Sequence, residues 1–256
     1  GRYSFTTHDN YFNSGGRYHP HRYVWVPTST GVNNPAERAL QSPVWTGSRM
    51  IIWGGGSFTT GNTSFNDGGF YDPISDSWLA TSLGTNVPSA RYLSTAVWTG
   101  SEMIVWGGVN TAFLNTGGRY NPANNSWLPT STGGNVPSAR YSNTAIWTGS
   151  EMIVWGGILD CQSSCYTTLL NGGGRYNPDS DSWLPTTSDG NTPSGRYYHT
   201  AIWTGNEMIV WGGHGELTYL DTGGLYASGS VASPGNSLRG NKSSFINLNW
   251  SNISGA

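Results

Sequence analysis

The chain has 256 residues, enough for one large all-β domain or two smaller ones. Only 10% of its residues are charged, the formal net charge is −2 and Lys242 is the single lysine. A surface that tracks nucleic-acid phosphates is therefore excluded, because it needs clustered Lys and Arg, and no apolar run approaches the roughly 18 residues of a membrane-spanning helix.

In chain order, the first 18 residues align without gaps on residues 54–71, including Ser4-Phe5-Thr6-Thr7 against Ser57-Phe58-Thr59-Thr60. The chain thus enters its repeat in mid-unit. Thereafter three tryptophan columns recur about every fifty residues: Trp45, Trp98, Trp147 and Trp203; Trp53, Trp106, Trp155 and Trp211; Trp25, Trp78, Trp127 and Trp183. Such strict recurrence means copies of one supersecondary unit.

The unit is clearest over residues 91–130. An apolar run ending at Trp98 and another ending at Trp106 flank Thr99-Gly100-Ser101, which predicts a β-hairpin of strands a and b. Gly117-Gly118-Arg119-Tyr120 and Ser126-Trp127 flank a second turn and predict strands c and d. Strand b is apolar throughout, as expected of a strand covered on both faces. Antiparallel sheets bury both faces by stacking around an axis, the plan of a β-propeller.

The expected organisation is one all-β propeller domain spanning 1–256. Residues 1–30 give strands c and d of a split blade. Complete blades follow at 38–80, 91–130 and 140–186, then a blade without a recognisable strand d at 196–226 and a degenerate closing segment at 227–256. Phe245-Ile246-Asn247-Leu248-Asn249-Trp250 is the best strand in that segment. Five blades closed by pairing of N- and C-terminal strands fit the lengths, and so does a fragment of a six- or seven-bladed ring.

The Arg-to-Trp, Trp-to-Trp and Tyr-to-Trp spacings are constant in all copies, and only the segment between strands b and c varies, with 12, 8, 15 and 9 residues between its glycine pairs. Variation confined to one set of loops points to a binding face. Phe58, Phe65, Phe113, Tyr166 and Tyr219 lie there and are candidate anchors. Arg38, Arg91, Arg140 and Arg196 enter strand a in each copy, either to offer guanidinium forks to an anion or to cap loop carbonyls. Glu102, Glu151 and Glu207, with Arg49 in their place in the first full unit, read as solvated hairpin positions. Cys161 and Cys165 occupy the longest b–c loop; a disulfide there is worth about 2 kcal/mol and implies an oxidising compartment, extracellular or periplasmic. No carboxylate pair stands apart from the repeat. His19 and His21 are weak metal ligands without companions, so no metal or cofactor is expected. His199, His214 and Glu37 break the repeat symmetry without forming a recognisable catalytic group.

The apolar strand ending in Gly-Gly, the Tyr-[Asp/Asn]-Pro and the Trp seven residues after that Tyr closely resemble the kelch repeat, over nearly nine-tenths of the chain. The resemblance implies a kelch-type propeller and says little about activity. The expected function is a secreted, non-catalytic module that binds a protein partner or self-assembles through its b–c loops. A carbohydrate-binding variant and a kelch-type enzyme such as a sugar isomerase are the alternatives.

Overall fold

A computed structural model describes residues 11–58, 63–159, 168–188 and 190–227, and the backbone of 245–249. Every regular element in it is a β-strand. The chain divides into two compact units, Gly1–Ala112 with Thr116–Thr130, and Phe113–Asn115 with Ser131–Ala256.

The first unit opens with β1 (Gly16–His19) and β2 (Val24–Pro27), an antiparallel pair. Blade A follows as β3 (Ser42–Trp45), β4 (Met50–Trp53), β7 (Gly68–Asp72) and β8 (Ser77–Ala80). Between its second and third strands, β5 (Gly56–Ser57) and β6 (Thr63–Ser64) form a small hairpin. Blade B is β9 (Thr95–Trp98), β10 (Met103–Trp106), β11 (Gly117–Asn121) and β12 (Ser126–Pro129).

The second unit holds two more. Blade C is β13 (Thr144–Trp147), β14 (Met152–Trp155), β17 (Gly173–Asn177) and β18 (Ser182–Pro185), with β15 (Ile158–Leu159) and β16 (Thr168–Leu169) as its b–c hairpin. Blade D is β19 (Thr200–Trp203), β20 (Glu207–Trp211), β21 (Thr222–Ala227) and β22 (Phe245–Asn249). The strand expected near Phe245 is thus strand d of blade D, paired Tyr226↔Phe245 through Thr222↔Asn249. It forms the outer edge of blade D.

The repeat dictates the hairpins. Gly47, Gly100, Gly149 and Gly205 all take φ near +100°, where a side chain would be strained. The threonine just before each glycine accepts the N–H that leads into strand b, as in Glu102 N–H to Thr99 Oγ1 at 2.9 Å. Strand b is covered on both faces: Met103, Ile104, Val105 and Trp106 are all fully buried.

Within each unit, blades stack face to face. Ile51, Trp53 and Phe70 of blade A form one core with Met103, Val105, Tyr120 and Trp127 of blade B, with Trp53 and Trp127 rings 5.2 Å apart. Ile146, Ile153 and Trp155 of blade C pack in the same way on Met208, Val210 and Tyr226 of blade D. At about 25 cal/mol per Å² of apolar surface, these stacked faces are the main source of stability. A polar joint sits beside each core. Ser42 Oγ meets Ser94 Oγ at 2.9 Å in the first unit, and at the same repeat position Thr144 Oγ1 meets His199 Nε2 at 2.8 Å in the second.

The glutamates after the a–b turn are not simply solvated. Glu102 pairs with Arg119 at 3.9 Å and Glu151 with Arg175 at 3.6 Å, each side chain mostly covered. Blade A inverts the arrangement, with Arg49 against Asp72 at 3.1 Å and Phe70 in the place of Arg119. A charge reversal at one repeat position is balanced by a second change across the sheet.

Candidate functional site

The b–c loops are held at both ends and differ in length between. Each leaves strand b through a glycine pair of positive φ, such as Gly156 (φ 70°) and Gly157 (φ 93°). A Cβ on Gly157 would lie 2.7 Å from the Tyr141 carbonyl oxygen, so no other residue fits this close approach. Each loop ends at a pinned residue three positions before the next glycine pair. Phe65, Leu170 and Leu220 donate their N–H to Gly55, Gly157 and Gly213 at 2.9 Å. Phe12, Phe65, Leu114 and Leu170 also accept the N–H of Arg38, Arg91, Arg140 and Arg196. Length variation is therefore confined to 56–64, 109–113, 158–169 and 214–219.

The loop aromatics divide by exposure. Phe58 is half-buried, edge-on to Tyr92 at 5.0 Å and 6.0 Å from Tyr11. Phe65 lies 4.4 Å beneath the Arg38 guanidinium, and Phe113 stacks on Tyr141 at 5.1 Å. These three fasten loops to the tyrosine-arginine entry of strand a. Tyr219 differs: its ring meets His214 at 5.0 Å yet is 82% exposed. Tyr166 and the Cys161–Cys165 pair lie outside the described residues.

The arginine column is turned onto the protein's own backbone. Arg91 uses all five N–H donors inside blade B: Nε to Ser89 O at 2.9 Å, Nη1 to the Gly107 and Thr116 carbonyls at 3.0 and 2.6 Å, and Nη2 to the Ser89 and Thr116 hydroxyls at 3.0 and 3.1 Å. Arg196 repeats the pattern on Ser194, Gly212 and Thr222. Arg140 bonds Ser138, Gly156 and Gly172, and Arg38 bonds Ala36, Gly54 and Asp67. All four are buried, and burial pulls Arg91 and Arg140 down to about 10. The anion-binding expectation fails because strand a enters under the b–c loop, where orphan carbonyls consume the guanidinium.

Chemistry suited to binding gathers instead between the b–c loops of blades C and D, in a cleft of about 600 Å³. It is lined by Leu169, Gly195, Glu216, Leu217, Thr218 and Leu220. Leu217 is 90% exposed. The cleft depends on Gly195, whose added Cβ would stand 2.5 Å from the Leu169 carbonyl oxygen. Ala90 and Ala139 hold the matching place before Arg91 and Arg140. That Ala-to-Gly change was the sequence signal for this cleft, and the reading from aromatics alone passed over it together with Glu216 and Leu217.

Among the described residues no three His, Cys, Asp or Glu side chains converge as metal ligands. His199 is buried edge-on to Trp155, and burial, helped by the nearby Arg196 charge, pushes its pKa down to about 3. It is a neutral packing residue bonded to Thr144, and His214 donates its Nδ1–H to the Gly215 carbonyl within its own loop.

Four-stranded antiparallel blades, stacked by strand b and varied only in their b–c loops, define a repeat protein of the propeller-blade class. A family model for the KLHDC2/KLHL20/DRC7 kelch-repeats domain matches residues 94–228, just over half of the chain, and the chain belongs to the kelch-repeat family. No curated protein gives a significant match to it.

Proposed function

We propose that the protein is a non-catalytic binding module that takes a protein partner in the b–c loop cleft of blades C and D. The observation that carries this reading is the contrast at that cleft. Every surrounding joint is fixed by backbone and arginine bonds, whereas Leu217 and Tyr219 project into solvent beside it. Exposed apolar and aromatic side chains beside one acidic group, Glu216, suit a partner segment with an apolar anchor and a basic residue.

The kelch-repeat family supports the general role, and the finer picture is ours. It includes a secreted site of action and a Cys161–Cys165 bridge that shapes the blade C loop. Intact mass before and after alkylation without reductant tests the bridge; two alkylated thiols in freshly secreted protein would refute it.

The binding reading is tested by cross-linking the full chain to partners captured from its native environment. Cross-links and hydrogen-exchange protection are expected at 214–220, and Leu217→Asp with Tyr219→Ala should abolish capture without lowering Tm. Capture unaffected by both changes would remove the cleft from consideration. Selective, saturable signal on a glycan array with no protein captured would favour the carbohydrate-binding alternative.

A further inference from the structure

Two positions of the repeat change their chemistry together in blade A. It has Arg49 where blade C has Glu151, and Phe70 where blade C has Arg175. In blade C these two side chains pair at 3.6 Å and are mostly covered. In blade A the cation has moved to the a–b hairpin and the sheet position has become apolar. A pocket of about 390 Å³ lies there, between the facing sides of blades A and B, a size that suits a small ligand. Its floor is Ile51 and Phe70, both buried, with the half-buried Trp98 of blade B beside them. Ser48 and Ser101, one from each a–b turn, stand exposed at the rim with Arg49.

Arg49 is fixed in a pose that suits an anion. Its Nε and Nη2 both meet Asp72 Oδ2 at 3.1 Å, and its Cζ lies 5.6 Å from the centre of the Phe70 ring. Asp72 is itself held by its own turn, where Oδ1 accepts the Ile74 N–H at 2.9 Å. Nη1 is therefore the edge of the guanidinium that Asp72 leaves to a ligand. The floor beneath it has no polar group to offer, so the body of that ligand must be apolar.

We propose that this pocket binds a small carboxylate with an apolar ring, of the arylalkanoate class. The carboxylate meets Arg49 Nη1 and the Ser48 and Ser101 hydroxyls, and the ring lies on Phe70 and Trp98. The pocket belongs to blades A and B and does not rest on the b–c loop reading.

The test titrates phenylacetate into the intact ¹⁵N-labelled protein and follows the Trp98 indole N–H, assigned by its loss in Trp98→Phe. A saturable shift is expected with Kd on the order of 1 mM, as suits about ten heavy atoms held by a half-exposed cation. Phenylacetamide, uncharged and of the same shape, should bind about fivefold more weakly to the unaltered chain. To Arg49→Met the acid and the amide should bind alike. Glucuronate should bind at least about tenfold more weakly than phenylacetate, because its ring hydroxyls would go unpaired against Ile51 and Phe70. Arg49→Glu combined with Phe70→Arg installs the pair that blade C already carries, and should abolish the shift. No shift up to about 20 mM, equal binding of acid and amide by the unaltered chain, equal binding of glucuronate, or a shift that survives the double exchange overturns the proposal.

Discussion

Tyr176 donates its hydroxyl to Asp181 at 2.5 Å, and the same carboxylate oxygen accepts the Ser131 N–H at 2.8 Å. The Ser131 carbonyl in turn accepts Trp183 Nε1–H at 3.1 Å. A serine in the linker ahead of the blade is thereby held at two points by the c–d turn. Ser29 is held in the same way by Asp76 and Trp78, and the Ser82 N–H by Asn125. Asp181→Ala should cost about 2 kcal/mol, since it orphans a hydroxyl and an amide together. Asp181→Asn should change stability little, because Asn125 serves the same purpose in blade B. Urea unfolding midpoints at constant m decide both.

Asp76, Asn125 and Asp181 all adopt positive φ, a conformation that Asp and Asn tolerate better than other side chains. Tyr23 takes the same place in the β1–β2 turn at φ 54° and is 83% exposed. Tyr23→Asn should therefore stabilise the half blade by about 0.5–1 kcal/mol. Slower proteolysis between β1 and β2 is the readout; unchanged or faster cleavage would count against it.

His199 makes stability depend on acid. Its folded pKa, about 3, lies below the unfolded value of 6.5, so the unfolded chain binds the proton more readily in between. Stability is complete above pH 6.5 and falls as pH drops toward 3, by about 2 kcal/mol at pH 5. His199→Asn borrows the residue found at Asn143 and should flatten this part of the Tm-versus-pH curve.

Arg91→Lys should be severe despite keeping the charge. A lysine has three donors on one atom and cannot span Ser89, Gly107 and Thr116 as the planar guanidinium does. Two or more buried acceptors lose their partners, at about 3 kcal/mol or more in total. A Tm shift no larger than that of a surface Arg22→Lys control would show that the network is dispensable.

The blades were legible in the sequence because their spacing is rigid and their strands carry the right alternation and turns. Strand b even announced its double burial by reading Met103-Ile104-Val105-Trp106. The arginines were legible as a column but not as a role, since a repeated cation looks the same in sequence whether it meets a ligand or a carbonyl. Phe58, Phe65 and Phe113 misled for a related reason. An aromatic in a variable loop signals an anchor, yet these rings are turned back onto Tyr92, Arg38 and Tyr141. Gly195 escaped notice because the loss of one methyl matters only when the Leu169 backbone is seen against it.

The serine latch has a consequence for how such a protein changes size. For blades A, B and C the catch lies in the linker ahead of the blade, and the hook lies in that blade's own c–d turn. Any cut of the gene into whole periods therefore yields pieces with one catch and one hook apiece, whatever the cutting point. A copied or deleted period leaves every remaining joint matched, with no compensating substitution. Blade number is free to drift by recombination while the surface chemistry of each loop evolves on its own.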